Sequence, residues 1–146
     1  MNKRIQINEV EPKAFNTLFK LEEYLQQGEL SKIHKELIKI RASQINGCAF
    51  CIDMHVKEAI QLGEDPHRIH MLTSWKDSNL FTEDEKVILQ VTEEITWIHQ
   101  NGLTDKTYQE AILLLDENYL SQVIMAIVTI NAWNRIAIST KKPIEG

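Results

Sequence analysis

The chain has 146 residues, 43% of them hydrophobic and 25% charged, with a formal net charge of −5 and a pI near 5.5. A chain of this length can bury its own core without cross-links, so one domain over residues 1–146 is expected. The acidic balance points away from nucleic acid, which calls for Lys and Arg clustered on one face.

Apolar residues recur at helical spacing in every informative stretch, and Gly and Pro fall between those stretches. From Pro12 to Leu25 the positions Phe15, Leu18, Phe19, Leu21 and Leu25 define a first helix that ends near Gly28. Ser31 offers an N-cap to a second helix carrying Ile33, Leu37, Ile40 and Ile45, and Asn46-Gly47 supplies left-handed residues to close it. A third helix runs from about Ala49 to Leu62, before Gly63 and Pro66, and a short one follows from Pro66 to Leu72.

Thr82 and Glu85 then form a capping box ahead of Val87, Ile88, Val91, Ile95 and Ile98, a helix that Asn101-Gly102 terminates. Thr104 starts another helix through Leu115, and Tyr119 to Ser139 reads as a last helix, apolar nearly all round its middle and so deeply buried. Within it, Arg135 is expected to pair with a carboxylate. No segment alternates as a strand does, and the fold class expected is all-α.

The first residues hold no apolar stretch of signal-peptide length, and the run Val123 to Ile130 is far too short for a membrane span. A cytoplasmic protein, with no membrane association, is expected. Only two cysteines occur, Cys48 and Cys51, and a bridge between them closes too small a loop to brace the fold. Their purpose therefore lies in reactivity or metal binding.

On one helix Cys48, Cys51 and His55 are three and four residues apart, so they share a face and set a proton acceptor beside a thiol. The first turn adds unpaired N–H groups and the positive end of the helix dipole, which favour thiolate, and Cys51 is the better-activated candidate. Glu36 lies on the preceding helix, which the Asn46-Gly47 break lets fold back; it can orient His55 or pass protons. A short-loop disulfide between the cysteines is of the labile, cycling type. Two other readings of these residues stay open. One is a zinc site built on Cys48, Cys51 and His55 with Glu36 or another histidine; the other is a redox sensor whose disulfide switches assembly without turnover. His34, His67, His70 and His99 carry no assignment, Trp97 and Trp133 read as core or subunit-contact aromatics, and no Gly-rich phosphate loop points to a nucleotide.

Glu36, eleven residues, Cys48-x-x-Cys51, three residues and His55 together resemble the core motif of the AhpD-like alkylhydroperoxidase group of the carboxymuconolactone decarboxylase superfamily. Asn131-Ala-Trp133-Asn134-Arg135 in a final apolar helix also resembles the ending of that family's small members. The resemblance implies an all-helical domain that assembles as a homo-oligomer, a trimer or hexamer, and reduces hydroperoxides with electrons from a dithiol, a lipoyl or thioredoxin-like protein. It implies no cofactor and no resident metal. By that analogy Cys51 attacks the peroxide, Cys48 resolves the sulfenic acid to a disulfide, and Glu36 and His55 move protons. The chain departs from better-studied members at Phe50, where they carry histidine. The family's lactone decarboxylases lack the cysteine pair, which points away from that activity.

Overall fold

A computed structural model describes residues 3–145, and among them there are helices and no strands. A single turn, α1 (Ile7–Val10), precedes α2 (Pro12–Gln27), in which Pro12 occupies the first turn, where its missing N–H costs nothing. Sequence spacing gives no sign of α1. The second expected helix is α3 (Lys32–Asn46): the Ser31 hydroxyl accepts the His34 N–H, and Gly47 closes the helix at φ 74°, a left-handed conformation open to glycine without strain.

The third is α4 (Ala49–Gln61), and α5 (Pro66–His70) is two residues shorter than expected. The chain there tightens into a 3-10 segment, Leu72–Asp77, that buries Leu72 and Trp75. Next come α6 (Glu83–Thr96), with both halves of its capping box formed, α7 (Asp105–Leu114), and the 23-residue α8 (Glu117–Ser139). Helix α6 stops short of the expected end, so Ile98 lies beyond it in a turn and is exposed. Helix α8 starts two residues ahead of Tyr119 because Asp116 accepts the Tyr119 N–H.

Helix α3 is the centre of the packing, against α4, α6 and α8. Its Ile38 belongs to the cluster with Leu25, Val91 and Ile127, its Leu37 and Ile40 to one with Leu72, Trp75 and Leu89, and its Ala42 to one with both cysteines and Ile130. A helix covered on every side leaves no solvent-facing stripe, which is why even Glu36 and Lys39 are buried. Helix α8 corrects the sequence reading in the other direction. It is not covered all round, since Val128 is 44% and Ile138 42% exposed. Arg135 is a second correction: it is exposed and donates to the backbone and side-chain oxygens of Asn131, not to a carboxylate. No helix is long and apolar enough to cross a membrane.

Candidate active site

A polar clamp fixes where α4 begins. The Asn46 amide donates to the side-chain oxygens of Asn131 and Asn134 at 2.9 Å each, and the Asn134 amide donates to Ser43 Oγ at 3.0 Å. Asn134 is fully buried, so breaking this clamp strands polar groups without water. It ties the end of α3 to α8 immediately before the Gly47 turn that delivers Cys48 to the N-cap of α4.

Cys48 and Cys51 are joined as a disulfide with Cα atoms 5.3 Å apart. The Cys48 sulfur also accepts the Cys51 N–H at 3.3 Å, so it caps the helix whose first turn holds Cys51. Both residues are buried, at 1% and 2% exposure, yet only Cys51 lines the adjoining pocket.

One turn further, His55 Nδ1 lies 2.9 Å from Glu36 Oε2, with both side chains 4% exposed. A carboxylate only accepts, so the proton of this bond sits on Nδ1, and Nε2 is the nitrogen left to take up a second proton. Burial pulls the His55 pKa down, but the carboxylates of Glu36 and Glu58 outweigh it and hold the ring above its ordinary value of 6.5. The four residues singled out in the sequence thus form two pairs, the Cys48–Cys51 disulfide and the Glu36–His55 hydrogen bond, and Glu36, Cys51 and His55 line one pocket.

The pocket beside Cys51 has a volume of about 310 Å³. Phe15, Phe19, Phe50, Met54, Trp133 and Ile136 make its apolar walls, with Phe15 and Phe19 5.1 and 5.3 Å from the Trp133 ring. Lys142 Nζ stands 4.7 Å from the centre of the Phe50 ring. Lys35, Lys142 and three further charged groups, Lys39, Glu22 and Glu58, escaped the sequence reading. Buried Lys39 donates to both carboxylate oxygens of Glu22 at 2.6 Å, and Glu22 also accepts Trp133 Nε1–H at 3.0 Å, a chain that holds α2, α3 and α8 around the pocket. Glu22 reads in sequence as a solvated charge on an amphipathic helix; the available signal was Lys39, one turn after Glu36 on the same face of α3. Glu58 is the third, with Oε2 3.5 Å from His55 Nδ1. The zinc ligand set drawn from the cysteines is not the one the fold assembles. Among the described residues, the ligand atoms within 4.8 Å of one another belong to Glu36, His55 and Glu58.

Comparison with known proteins identifies the family. An uncharacterized Bacillus subtilis protein, YdfG, is 37% identical over 139 residues, 95% of each chain. A crystal structure of an Agrobacterium tumefaciens protein of unknown function, ATU0492, suggested to be the antioxidant defence protein AhpD, superposes with a TM-score of 0.95. It is 34% identical and 99% of both chains is covered. The debrominase Bmp8 bound to 2,3,4-tribromopyrrole shares the fold, with a TM-score of 0.84 at 14% identity over 94% of this chain and 74% of that one. The sequence model of the Carboxymuconolactone decarboxylase family matches residues 12–94, a span containing Glu36, both cysteines and His55. The chain belongs to that family and, within it, to the AhpD-like group.

Proposed function

We propose that this protein is a thiol-dependent peroxidase in which Cys51 is the attacking thiolate, Cys48 the resolving thiol, and Glu36 and His55 the proton relay. The observation that carries the reading is the placement of Cys51, alone of the two cysteines, on an apolar pocket that it shares with a buried Glu36–His55 pair. The Agrobacterium relative's suggested antioxidant role supports it.

The chemistry closes with these groups. His55 Nε2 takes the Cys51 proton, the thiolate attacks one peroxide oxygen, the O–O bond breaks, and the departing alkoxide receives that proton from the imidazolium. Cys51 is then a sulfenic acid, oxidised by two electrons. Cys48 attacks its sulfur, the S–S bond forms, and the hydroxyl leaves as water with the Cys48 proton. A dithiol restores both thiols and becomes a disulfide itself.

Burial of both sulfurs favours a slender dithiol that enters through the pocket, a lipoyl arm, over the broad face of a thioredoxin-like protein. Residues 1–146 act as one domain in this reading, in the cytoplasm, and the apolar face of α8 around Val128 packs against neighbouring subunits in a trimer or hexamer, which light scattering measures. The deciding assay follows reduction of cumene hydroperoxide by dihydrolipoamide. Turnover that disappears in Cys51→Ser supports the proposal. A wild-type protein that forms the disulfide yet never turns over favours a redox sensor.

A further inference from the structure

The pocket beside Cys51 is bordered by a lysine whose placement is built into the end of α8. Lys141 takes φ 50°, a left-handed backbone that a residue other than glycine adopts at a cost. That conformation closes the helix with the paired hydrogen bonds of a Schellman turn, Lys141 N–H to the Ile138 carbonyl at 3.2 Å and Lys142 N–H to the Ala137 carbonyl at 2.9 Å. The N-terminal segment clasps the same turn: Arg4 Nη1 donates to the Ser139 carbonyl at 2.8 Å and Gln6 Nε2 to the Thr140 carbonyl at 3.1 Å. Lys142 leaves this anchored backbone half-buried, with Nζ 4.7 Å from the centre of the Phe50 ring and 5.7 Å from that of Phe15. We propose that Lys142 seats the carboxylate of an amphipathic ligand whose apolar body fills the aromatic pocket, so that the substrate class is a carboxylate-bearing organic hydroperoxide.

The charges around the pocket carry the case. Besides His55, six charged residues border it: Glu22, Lys35, Glu36, Lys39, Glu58 and Lys142. Glu22 holds Lys39 through both oxygens, and Glu36 and Glu58 both face His55. Among the described residues Lys35 and Lys142 make no ion pair. Lys35 also borders a second cavity, of about 350 Å³, in company with Glu36 and Glu58, so its surroundings are acidic. Lys142 has aromatic faces instead. Those rings attract an ammonium, but they offer no oxygen acceptor to its three N–H donors, and a carboxylate does. On a half-buried cation such a charge-assisted bond is stronger than on open surface. A small anion alone leaves the walls of Phe15, Phe50 and Trp133 unused, and a neutral apolar molecule leaves the ammonium unanswered; a ligand with both parts uses both.

This inference rests on the peroxidase reading for its reaction, but its first test is binding alone. Calorimetry compares 4-isopropylbenzoate with the neutral 4-isopropylbenzamide on the disulfide form of wild type, Lys142→Met, Lys142→Arg and Lys35→Met. In wild type the benzoate is expected to bind about fivefold tighter or more, with the advantage shrinking as salt rises. Lys142→Met abolishes the difference, Lys142→Arg keeps most of it, and Lys35→Met changes it by less than about twofold. Equal binding of the two probes by wild type, binding of neither, an advantage that survives Lys142→Met, or an equal loss in Lys35→Met overturns the assignment. A second arm compares the 4-carboxylate of cumene hydroperoxide with cumene hydroperoxide itself, and the acid is expected to show the lower KM in wild type only. Benzoate preference without turnover of either peroxide removes the peroxidase reading and leaves the carboxylate seat standing. Turnover of both with equal KM removes the seat and leaves the peroxidase.

Discussion

His55 on α4 and Glu36 on α3 are joined by a 2.9 Å hydrogen bond across nineteen residues of sequence, and neither side chain has meaningful contact with water. Their union joins the two helices that the Gly47 turn folds together. A polar pair at this depth survives only because each member answers the other, so removing one leaves a stranded group. Neutralising Glu36 in Glu36→Gln is therefore expected to slow peroxide turnover about a hundredfold, the usual cost of losing a proton-transfer partner. The measurement is single-turnover disulfide formation with cumene hydroperoxide. A folded Glu36→Gln variant with full speed would remove Glu36 from the relay.

The same pair makes stability depend on pH in a defined direction. The folded His55 pKa lies above its ordinary value of 6.5, so the pairing contributes fully below about pH 6.5 and is lost as pH rises through the raised folded value. Glu58, lowered from 4.5, contributes above that value and loses its share as pH falls through the folded one. Thermal melts of wild type and His55→Gln should thus differ most near about pH 6 and converge near about pH 9. A gap that widens towards alkaline pH contradicts this sign.

The two cysteines are expected to behave unequally. Cys51 borders the pocket and Cys48 does not, so a peroxide meets only the first. Cys48→Ser should accumulate a sulfenic acid on Cys51 that dimedone traps, whereas Cys51→Ser should give no adduct. Intact-protein mass spectrometry reads both. Adducts of equal yield in the two variants would mean that either sulfur reaches the oxidant.

How much of this was legible in the sequence follows from the range of the interactions. Glu36, Cys48, Cys51 and His55 were readable because they lie on two consecutive helices with one glycine turn between them, and helical periodicity fixes such neighbours. Glu22 was not, because its contact with Lys39 depends on how α2 is laid against α3, which no spacing encodes. Glu58 was passed over although it follows His55 by one turn, since an exposed glutamate on a helix looks the same with or without a buried histidine beside it. The 3-10 segment after α5 went unread for want of capping signals, and Val128 and Ile138 stand exposed on α8 because an apolar run marks a helix for burial without saying which of its faces this chain covers.

Far from the cysteines, Arg68 is expected to matter for stability alone. Its guanidinium donates to Glu85 at 2.7 and 2.9 Å, to Glu64 at 2.9 and 3.1 Å, and to the Leu80 carbonyl at 2.7 Å, while Glu85 also closes the α6 capping box. Both carboxylates are buried. Arg68→Met strands them, and a loss of about 3 kcal/mol in urea unfolding is expected, with Cys51 alkylation in the folded protein unchanged. A loss within about 0.5 kcal/mol, typical of an exposed site, would mean water screens the network.

The aromatic pocket predicts which peroxide the protein prefers. Phe15 meets Phe19 and Trp133 edge to face and Phe19 meets Trp133 tilted, all at 5.1 to 5.3 Å, and with Phe50 and Met54 they form walls that hydrogen peroxide cannot use but a phenyl-sized group fills. Burying such a group contributes about 2 kcal/mol, so kcat/KM for cumene hydroperoxide should exceed that for hydrogen peroxide by roughly tenfold or more. Trp133 also holds Glu22, so substituting it confuses wall with network; the Phe15 ring, which meets Lys142 Nζ only at 5.7 Å from its centre, is the cleaner probe. Phe15→Ala should cost most of the preference for the bulky substrate while leaving hydrogen peroxide turnover nearly unchanged. If both substrates slow equally, the ring supports the redox centre's geometry and does not select the substrate.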